Sequence, residues 1–242
     1  MKNIEKIFGL HSCLSAIKNP TRQIHKLLCT EIVFKRNFNI FKILNKSKIK
    51  IVTRENLNKE FKTDIHQGIG LFCNKIQSTY SIEEIYDEKL IIILDSLNDN
   101  QNVGSIIRTS FLFGVQTIIY NKKNSFQITP FLIKATSGAF EKVKLIEVTN
   151  LVRTILELKK KGYWVIGLDN NSQKSISSIP RNLKKTLIFG SENKGMRELV
   201  KKNCDDLFKI PINNSEPIID SLNVSNSAAI VLYEFSKDER NT

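Results

Sequence analysis

Apolar runs of strand length alternate with helix-like patterns along the C-terminal two thirds of the chain. The runs read LIIILD, QTIIY, KLIEV, WVIGL, TLIFG and LFKIPI, and the helical patterns include NVGSIIRTSFLFG and LVRTILELKKKG. Runs that are apolar at consecutive positions suit strands buried on both faces, and their alternation with helices is typical of a parallel sheet covered on both sides. The pattern predicts a doubly wound α/β domain over residues 89–242.

The first third of the chain has a shorter pattern of the same kind. HSCLSAIKN, FKILNKS and RENLNKEF have helical spacing, whereas EIVFKR, KIKIVT and GIGLFCNKI favour strands. The segment STYSIEEIYDEK that follows is polar and acidic and lacks a clear period. We therefore predict a small α/β domain over residues 1–77 and a linker over residues 78–88.

The charge of the chain points to a polyanionic partner. Its 242 residues include 37 lysines and arginines against 24 acidic residues, which gives a net charge of +13. Such an excess is typical of proteins that bind nucleic acid. Biased codon usage, which enriches lysine together with asparagine and isoleucine, is the alternative explanation of the composition.

Cysteine and histidine spacing predicts neither a disulfide framework nor a metal site. The four cysteines form no C-x-x-C pair, and the three histidines show no ligand spacing. The aliphatic run LIIIL is far shorter than the ~18 residues of a membrane span, and MKNIEKIFGLHS at the start has no signal-peptide core. We expect a cytoplasmic protein with reduced thiols, no metal and no membrane span.

Asn102 and Arg108 follow the first strand of the predicted parallel sheet and have two interpretations. Ligands of doubly wound sheets bind beyond the carboxyl ends of the strands, so the loops after strands are where chemistry is expected. Val103, Ile106 and Ile107 form an apolar stripe that leaves Arg108 off the buried face. Either Asn102 is a helix N-cap and Arg108 a solvated charge, or both stand at the mouth of a site.

The loop IFGSENKGM follows the strand TLIF and places a carboxylate between two glycines. Gly190 and Gly195 permit tight turns and close approach of a ligand. Their spacing fits neither phosphate-binding glycine motif, and Glu192 suits a cationic or hydroxyl-bearing ligand better than a phosphate. The structural alternative is that Glu192 begins a helix, where the helix dipole favours an acidic residue.

The segment SLNVSNSAAIVLYEF near the C-terminus has more hydrogen-bonding side chains than a helix start requires. The prolines of the preceding KIPINNSEPIID are expected to end strand pairing after Ile210. One capping side chain is sufficient for the helix, and we expect Ser225 or Asn226 to provide it. Ser221 and Asn223 would then remain for a site.

Taken in this order, NVGSIIRTSFLFGV, LIFGSENKGM and IPINNSEPIIDSLNVSNSAAIVLYE resemble the three signature motifs of the SpoU (TrmH) family of SPOUT methyltransferases. The resemblance covers residues 89–235. Residues 1–77, including HQGI at residues 66–69, look like the ribosomal-protein-like substrate-binding domain of the 23S rRNA guanosine-2′-O-methyltransferase branch. His66 and Gln67 are expected either to contact RNA or to serve in packing.

The resemblance implies methyl transfer from S-adenosylmethionine to a ribose 2′-hydroxyl of RNA, with a guanosine of 23S rRNA as the expected target. It also implies a homodimer with sites near the subunit interface and a C-terminal trefoil knot. The family's catalytic positions correspond to Asn102, Arg108, Glu192, Ser221 and Asn223. Its cofactor positions, which act mostly through backbone groups, correspond to Gly190, Ile210 and Leu222.

The role of Arg108 can be narrowed by its chemistry. Arginine stays protonated in proteins because its pKa lies above ~12. We therefore expect Arg108 to bind the adjacent phosphate or to stabilise the developing alkoxide rather than act as a base. Glu192 is expected to orient either Arg108 or the ribose.

The chain departs from the family pattern at two places, and the second bears on the substrate. Asn100 stands where the family commonly has proline, and the loop between Pro211 and Ser221 is longer by a few residues than in some relatives. A tRNA or an antibiotic-resistance 2′-O-methyltransferase is therefore an alternative within the same chemistry. A noncatalytic RNA-binding protein is the alternative from another class, although the five catalytic-position residues would then have no reason to occur together.

Overall fold

The computed structural model of the chain describes residues 4–76, 81–180, 182–192, 194–213 and 221–236. These residues form two compact units. The N-terminal unit contains residues 4–76 together with residues 128–142, and the C-terminal unit contains the other described residues. A segment from the middle of the sequence therefore packs with the first third of the chain.

The helices and strands are numbered in chain order. Strands β1 to β10 are Ile4–Phe8, Ile24–Cys29, Ile49–Ile51, Ile69–Asn74, Leu90–Asp95, Thr117–Asn121, Lys144–Val148, Trp164–Leu168, Lys185–Gly190 and Asp206–Phe208. Helices α1 to α9 are Leu10–Lys18, Glu31–Arg36, Phe38–Phe41, Arg54–Phe61, Asn100–Leu112, Pro130–Ala135, Leu151–Lys160, Glu198–Lys202 and Val224–Ser236. Short 3-10 turns lie at Lys46–Lys48, Ile82–Ile85, Ala139–Glu141 and Ile176–Ser178.

The N-terminal unit is built on a four-stranded sheet with the order β1-β4-β2-β3. Strand β4 is antiparallel to β1 and β2, and β3 is parallel to β2. On one face of this sheet, Leu57 and Phe61 of α4 pack against Phe8 and Leu28. Gly70 allows this packing, because a Cβ atom there would lie 2.1 Å from the ring of Phe61.

The predicted strand EIVFKR is wrong, because these residues form helix α2. None of its side chains is buried, and Ile32 is 64% exposed. Six residues are too few for a helical period to be told from a strand, and the β-branched residues gave the wrong preference. The strands that build this sheet in its place, β1 and β2, lie outside the predicted segments.

A buried ionic cluster joins residues 128–142 to the N-terminal strands. The Arg22 side chain is completely buried and forms ion pairs with Glu5 at 2.7 Å and Glu141 at 2.9 Å. Its Nη1 also donates to the carbonyl oxygen of Asn74 at 2.6 Å, and Asn19 donates to Glu141 Oε2 at 2.7 Å. Each charged group in this buried arginine cluster therefore has a partner. Such pairing is required because burying an unpaired charge costs much free energy.

His66 is structural and not part of an exposed surface. Its ring is completely buried and bonded at both nitrogens, because Gly68 N donates to Nδ1 at 2.9 Å and Nε2 lies 2.7 Å from Asn58 Oδ1. These contacts suit a neutral ring that carries its proton on Nε2. Gln67 is exposed, and its Oε1 accepts from Leu10 N at the start of α1. Of the two expected roles of His66, the structure supports packing.

The C-terminal unit contains the predicted parallel sheet. Its six strands have the order β10-β8-β9-β5-β6-β7, and every neighbouring pair is parallel. The central strands are apolar on both faces, and Ile91, Ile92, Ile93 and Leu94 of β5 are all fully buried. From β5 the chain continues to β6 on one side, while β9 lies on the other. Strand β5 is thus the switch point of the sheet, where a ligand crevice is expected.

Residues 81–88, within the predicted linker, are packed as part of this unit. Ile85 is completely buried in its core. The Tyr163 hydroxyl donates to the carbonyl oxygens of Ile85 at 2.8 Å and of Glu88 at 2.6 Å. Residues 77–80 lie outside the described residues, as do residues 214–220 of the stretch expected to form the knot. In the described part of the chain, no helix is long and apolar enough to cross a membrane.

Candidate active site

The loop after β9 is attached to the end of β5 by one buried carboxylate. Asp95, the last residue of β5, is completely buried. Its Oδ1 accepts from Arg197 Nε at 2.7 Å and its Oδ2 from Arg197 N at 2.8 Å. This bidentate pair fixes the position at which the chain enters α8. Sequence reasoning missed it, although a single acid at the end of an apolar run was a usable signal.

A tight turn within that loop presents Glu192. Ser191 N donates to Gly195 O at 3.0 Å, Gly195 N donates to Ser191 O at 2.8 Å, and Gly195 has a φ of 64°. A Cβ atom on Gly190 would lie 2.2 Å from Met196 N, so no other residue fits there without moving the loop. Glu192 lies in this turn and α8 begins only at Glu198. The alternative that Glu192 begins a helix is therefore wrong.

Helix α5 is capped by Asp99, which frees the Asn102 side chain for another contact. Asp99 Oδ1 accepts from Asn102 N at 2.7 Å. The interpretation of Asn102 as N-cap is therefore wrong, and its Nδ2 instead donates to Glu192 Oε1 at 2.6 Å. Asn100 is the first helical residue. Proline is favoured at that position, which agrees with its occurrence there in the family.

Asn223 has two structural roles. Its Oδ1 accepts from Ser225 N at 2.8 Å, just before α9 begins at Val224. Asn223 is therefore the cap, and the expectation that Ser225 or Asn226 caps the helix is wrong. Its Nδ2 donates to Glu192 Oε1 at 2.7 Å and to Asn102 Oδ1 at 3.0 Å. One amide thus starts the helix with its oxygen and bonds two neighbours with its nitrogen.

Asn102, Glu192 and Asn223 form an amide–carboxylate cluster whose members come from the first turn of α5, the loop after β9 and the position just before α9. They are separated in sequence by 90 residues and by 31 residues. Both amides donate to Oε1 of Glu192, and among the described residues no donor reaches its Oε2. Glu192 and Asn223 are exposed. A ligand hydroxyl could therefore reach the second carboxylate oxygen.

Two cavities meet at this cluster. The smaller has a volume of about 490 Å³ and is lined by the predicted residues Gly190, Glu192, Ile210, Ser221 and Leu222. The larger has a volume of about 780 Å³ and is lined by Asn102 and Glu192 with polar residues of neighbouring loops, namely Ser96, Asn98, Asp99 and Asn124. Glu192 lines both cavities. Volumes of this size are typical of small-molecule sites, which span about 300–1,000 Å³.

Known families account for both parts of the chain. Residues 89–233 match the SpoU rRNA Methylase family, and residues 6–79 match the family described as RNA 2′-O ribose methyltransferase substrate binding. The chain belongs to the SpoU rRNA methylase family. This confirms the predicted resemblance, the fold class and the prediction of an RNA 2′-O-ribose methyltransferase.

Individual relatives cover nearly the whole SpoU methylase chain. YacO of Bacillus subtilis (strain 168), assigned to the TrmH family of tRNA/rRNA methyltransferases, is 32% identical over 94% of this chain and 93% of its own. The 23S rRNA (guanosine-2′-O-)-methyltransferase RlmB of Coxiella burnetii is 31% identical over 98% of this chain and 97% of its own.

A solved structure has the same fold. The SpoU methyltransferase AviRb from Streptomyces viridochromogenes, in complex with AdoMet, matches this SpoU methylase with a TM-score of 0.82 at 16% identity. The match covers 100% of this chain and 92% of AviRb. At this identity the likeness concerns the fold alone.

Asp169 and Lys201 belong to the smaller cavity of this SpoU methylase and were missed by sequence reasoning. Both line the cavity and form an ion pair with each other. Partial burial opposes ionisation of Asp169, but hydrogen bonds from Lys201 and from Asn171 N outweigh it and lower the pKa of the carboxyl group. The polar stretch DNN directly after the strand WVIGL was the available signal.

Among the residues that the structure describes, the predicted site residue Arg108 lies outside the amide–carboxylate cluster and outside the lining of both cavities. It is exposed on α5, six residues and about 9 Å along the helix from Asn102. Within the described residues, it does not hydrogen-bond Glu192 and it lines neither cavity. Its catalytic role stays a prediction.

No group of three or more histidine, cysteine or acidic side chains in the described residues is arranged to hold a metal ion. Cys204 is half-buried, and desolvation raises the pKa of its thiol to about 12. A thiol with such a pKa is a poor nucleophile.

Proposed function

We propose that this chain transfers a methyl group from S-adenosylmethionine to the ribose 2′-hydroxyl of a guanosine in 23S rRNA. The observation that carries the proposal is the amide–carboxylate cluster at the junction of two cavities. A methyltransferase must hold two ligands with their reacting atoms in line, and such positioning supplies much of the rate. Two adjoining cavities with a shared polar wall suit that task.

The smaller cavity is proposed for the cofactor. S-adenosylmethionine, when bound, supplies a methyl group on a cationic sulfonium centre. The closeness of Gly190 to the backbone of Met196 keeps this part of the wall free of side-chain bulk, so that backbone groups can contact a ligand. The ionised carboxylate of Asp169 suits a ligand that carries positive charge and ribose hydroxyls. Ile210 and Leu222 provide apolar contacts and backbone groups.

The target ribose is proposed to enter from the larger cavity. Glu192 Oε2 is placed to accept a hydrogen bond from the 2′-hydroxyl, because the two amides hold the carboxylate by its other oxygen. Ser221 lines the smaller cavity and is proposed to help position the reacting atoms. Arg108 is proposed to bind the phosphate beside the target or to stabilise the developing alkoxide.

A homodimer is proposed from the surface of α5 and α9. These helices pack together, and Leu112, Ile230 and Tyr233 remain 69%, 39% and 48% exposed. Exposed apolar side chains grouped in this way are typical of protein interfaces. Arg108 lies one turn before Leu112 on the same side of α5, so a second copy docked there would lie close to Arg108. We also propose that the C-terminal part of the chain forms the trefoil knot. We propose a cytoplasmic location because ribosomes are assembled in the cytoplasm.

The test is methyl transfer from radiolabelled S-adenosylmethionine to transcripts of 23S rRNA and of tRNA, followed by mapping of ribose methylation. We expect label in one guanosine of the 23S transcript. Label confined to tRNA would replace the rRNA proposal by its tRNA alternative. Saturable cofactor binding should appear by calorimetry, and its absence would overturn the enzymatic assignment to this chain.

A further inference from the structure

The net charge of the chain is concentrated in its first third. Residues 1–77 contain 15 lysines and arginines against 5 acidic residues, so they carry +10 of the total of +13. The remaining 165 residues contain 22 basic and 19 acidic residues, and they include the whole amide–carboxylate cluster. The attraction for a polyanion therefore originates mainly in the part of the chain that lacks this cluster.

One face of the N-terminal sheet collects part of this charge in a regular row. Lys6 of β1 and Lys26 of β2 both pair in register with Phe72 of the central strand β4. Their ammonium groups lie 5.2 Å and 5.6 Å from the centre of the Phe72 ring. Cations at this distance are attracted to the face of an aromatic ring, so Phe72 holds both charges on the same side of the sheet.

The row continues on the edge strand. Lys50 of β3 pairs with Leu28, which lies two residues after Lys26 on the same face. Lys26 and Lys50 are both exposed. We name Lys6, Lys26, Lys50 and Phe72 the basic sheet face. It lies beside the apolar half of the sheet that α4 covers.

An acidic residue, Glu60, touches the basic sheet face. Its Oε1 lies 2.8 Å from Lys6 Nζ, and its carbonyl oxygen accepts from the same ammonium group at 3.1 Å. Both side chains are more than a third exposed, so the pair is weak and a phosphate can compete for Lys6. Glu60 therefore opposes an anionic ligand at this surface.

We propose that the basic sheet face binds the phosphate backbone of the RNA substrate. The inference rests on the proposed function for the identity of the RNA. The charge complementarity, the fixed spacing of Lys6 and Lys26 and the exposure of Lys26 and Lys50 support it. Contacts of this kind supply affinity without reading sequence.

The first experiment removes two charges from the face. The double variant Lys26→Gln with Lys50→Gln is compared with Lys160→Gln with Lys202→Gln, which removes two exposed lysines from the C-terminal unit. Binding of a fluorescent 23S rRNA transcript is measured over a potassium chloride series. We expect the slope of log affinity against log salt to fall by roughly 1.5 in the first variant only, since each phosphate contact contributes about 0.7–0.9.

The second experiment predicts a gain. Glu60→Gln should tighten RNA binding several-fold because it releases Lys6. Glu31→Gln is the matched control, since it removes the same charge from the exposed ion pair with Lys35 on α2. Equal tightening in both variants would mean that net charge alone causes the effect, and it would overturn the inference.

The outcomes separate this inference from the proposed function. Unchanged salt slopes in the Lys26→Gln and Lys50→Gln variant, or no salt dependence in the unmodified protein, would refute the basic sheet face. Calorimetry with S-adenosylmethionine and methyl transfer at saturating RNA test the reaction itself. We expect both to match the unmodified protein in all four variants.

Discussion

The two units of the molecule each contain a polar cluster, and the clusters differ in one respect. In the N-terminal unit, the side chains of Arg22 and Glu141 are 0% and 1% exposed, and each has its partners. In the C-terminal unit, Glu192 is exposed and its Oε2 receives no hydrogen bond from the described residues. The first cluster is closed to ligands, while the second can still bind one.

This difference in exposure and pairing separates a cluster that stabilises the fold from one that can bind a ligand. The residue types alone do not separate them. Both clusters combine a carboxylate with nitrogen donors from distant segments. A buried polar group must be satisfied within the protein, because leaving it unpaired is costly. A site needs the opposite, since a group with all its partners inside the protein has nothing left for substrate. Variants in the first cluster should therefore change stability, and variants in the second should change the rate.

The largest expected effect is that of Arg22→Met. It leaves Glu141 and Glu5 as carboxylates without their arginine, and breaking a buried pair from one side costs about 3–5 kcal/mol. Denaturant unfolding should show this loss, while methyl transfer by the folded fraction is retained. Arg153→Met, at an exposed position of α7, is the control and should change the stability by less than about 0.5 kcal/mol. If Arg22→Met were as stable as the unmodified protein, the assignment of a stabilising role to the buried arginine cluster would be wrong.

Asn223 offers two variants that separate its roles. Asn223→Ala removes both the cap and the donor, so we expect about 1 kcal/mol of lost stability and roughly a 10²-fold loss of rate. Asn223→Asp keeps a capping oxygen but replaces the donor by a carboxylate facing Glu192. It should retain the stability and still lose the rate. Thermal unfolding measures the stability, and single-turnover methyl transfer measures the rate. An equal loss of stability in both variants would contradict the assignment of Asn223 as the cap of α9.

Asn102→Ala should change the rate alone. The cap of α5 belongs to Asp99, so the free energy of unfolding should stay within about 0.5 kcal/mol. Loss of the hydrogen bond to Glu192 should slow methyl transfer roughly 10²-fold, or about 2.7 kcal/mol of activation free energy. Gln101→Ala, the exposed neighbouring position, is the control. If Gln101→Ala were as slow as Asn102→Ala, the loss of rate would come from damage to helix α5 and not from the lost hydrogen bond.

The smallest effect is a pH dependence of the N-terminal unit. Burial lowers the pKa of His66, and protonating Nδ1 would break its bond from Gly68 N. Histidine in an unfolded chain titrates near pH 6.5, so below that pH the unfolded state binds the proton first. Stability is therefore present above about pH 6.5 and falls with decreasing pH, by at most about 1.4 kcal/mol per unit. His66→Gln should flatten this dependence in melting curves from pH 8 to 5.5.

The sequence pattern predicted the C-terminal sheet well and the N-terminal sheet less well. LIIILD coincides with β5, because a strand buried on both faces must be apolar at consecutive positions. LFKIPI contains only the end of β10, which stops at Phe208, three residues before Pro211. In the N-terminal unit, α2 was mistaken for a strand because its six residues are too few to show a helical period and its β-branched residues favour a strand.

The residue types of the candidate site could be predicted from the sequence, but the contacts between these residues could not. Motif resemblance selected Asn102, Glu192 and Asn223. Capping preference offered Asn102 as one of two interpretations and placed the cap of α9 at Ser225 or Asn226, whereas the structure has Asp99 and Asn223 as the caps. A cap and a site residue have the same chemistry, so local sequence cannot separate them. Asp169 was missed for a related reason, since its meaning depends on the distant Lys201.

The amino-acid sequence by itself determined the buried strands, the family motifs and the concentration of positive charge in the first third of the chain. These properties follow from local hydrophobicity and from the identity of residues. Only the tertiary structure decided which side chains meet, because the order of strands brings together segments that are 31 to 121 residues apart. It also decided which polar groups are buried with all their partners and which, like Glu192 Oε2, receive no hydrogen bond from the residues that the structure describes.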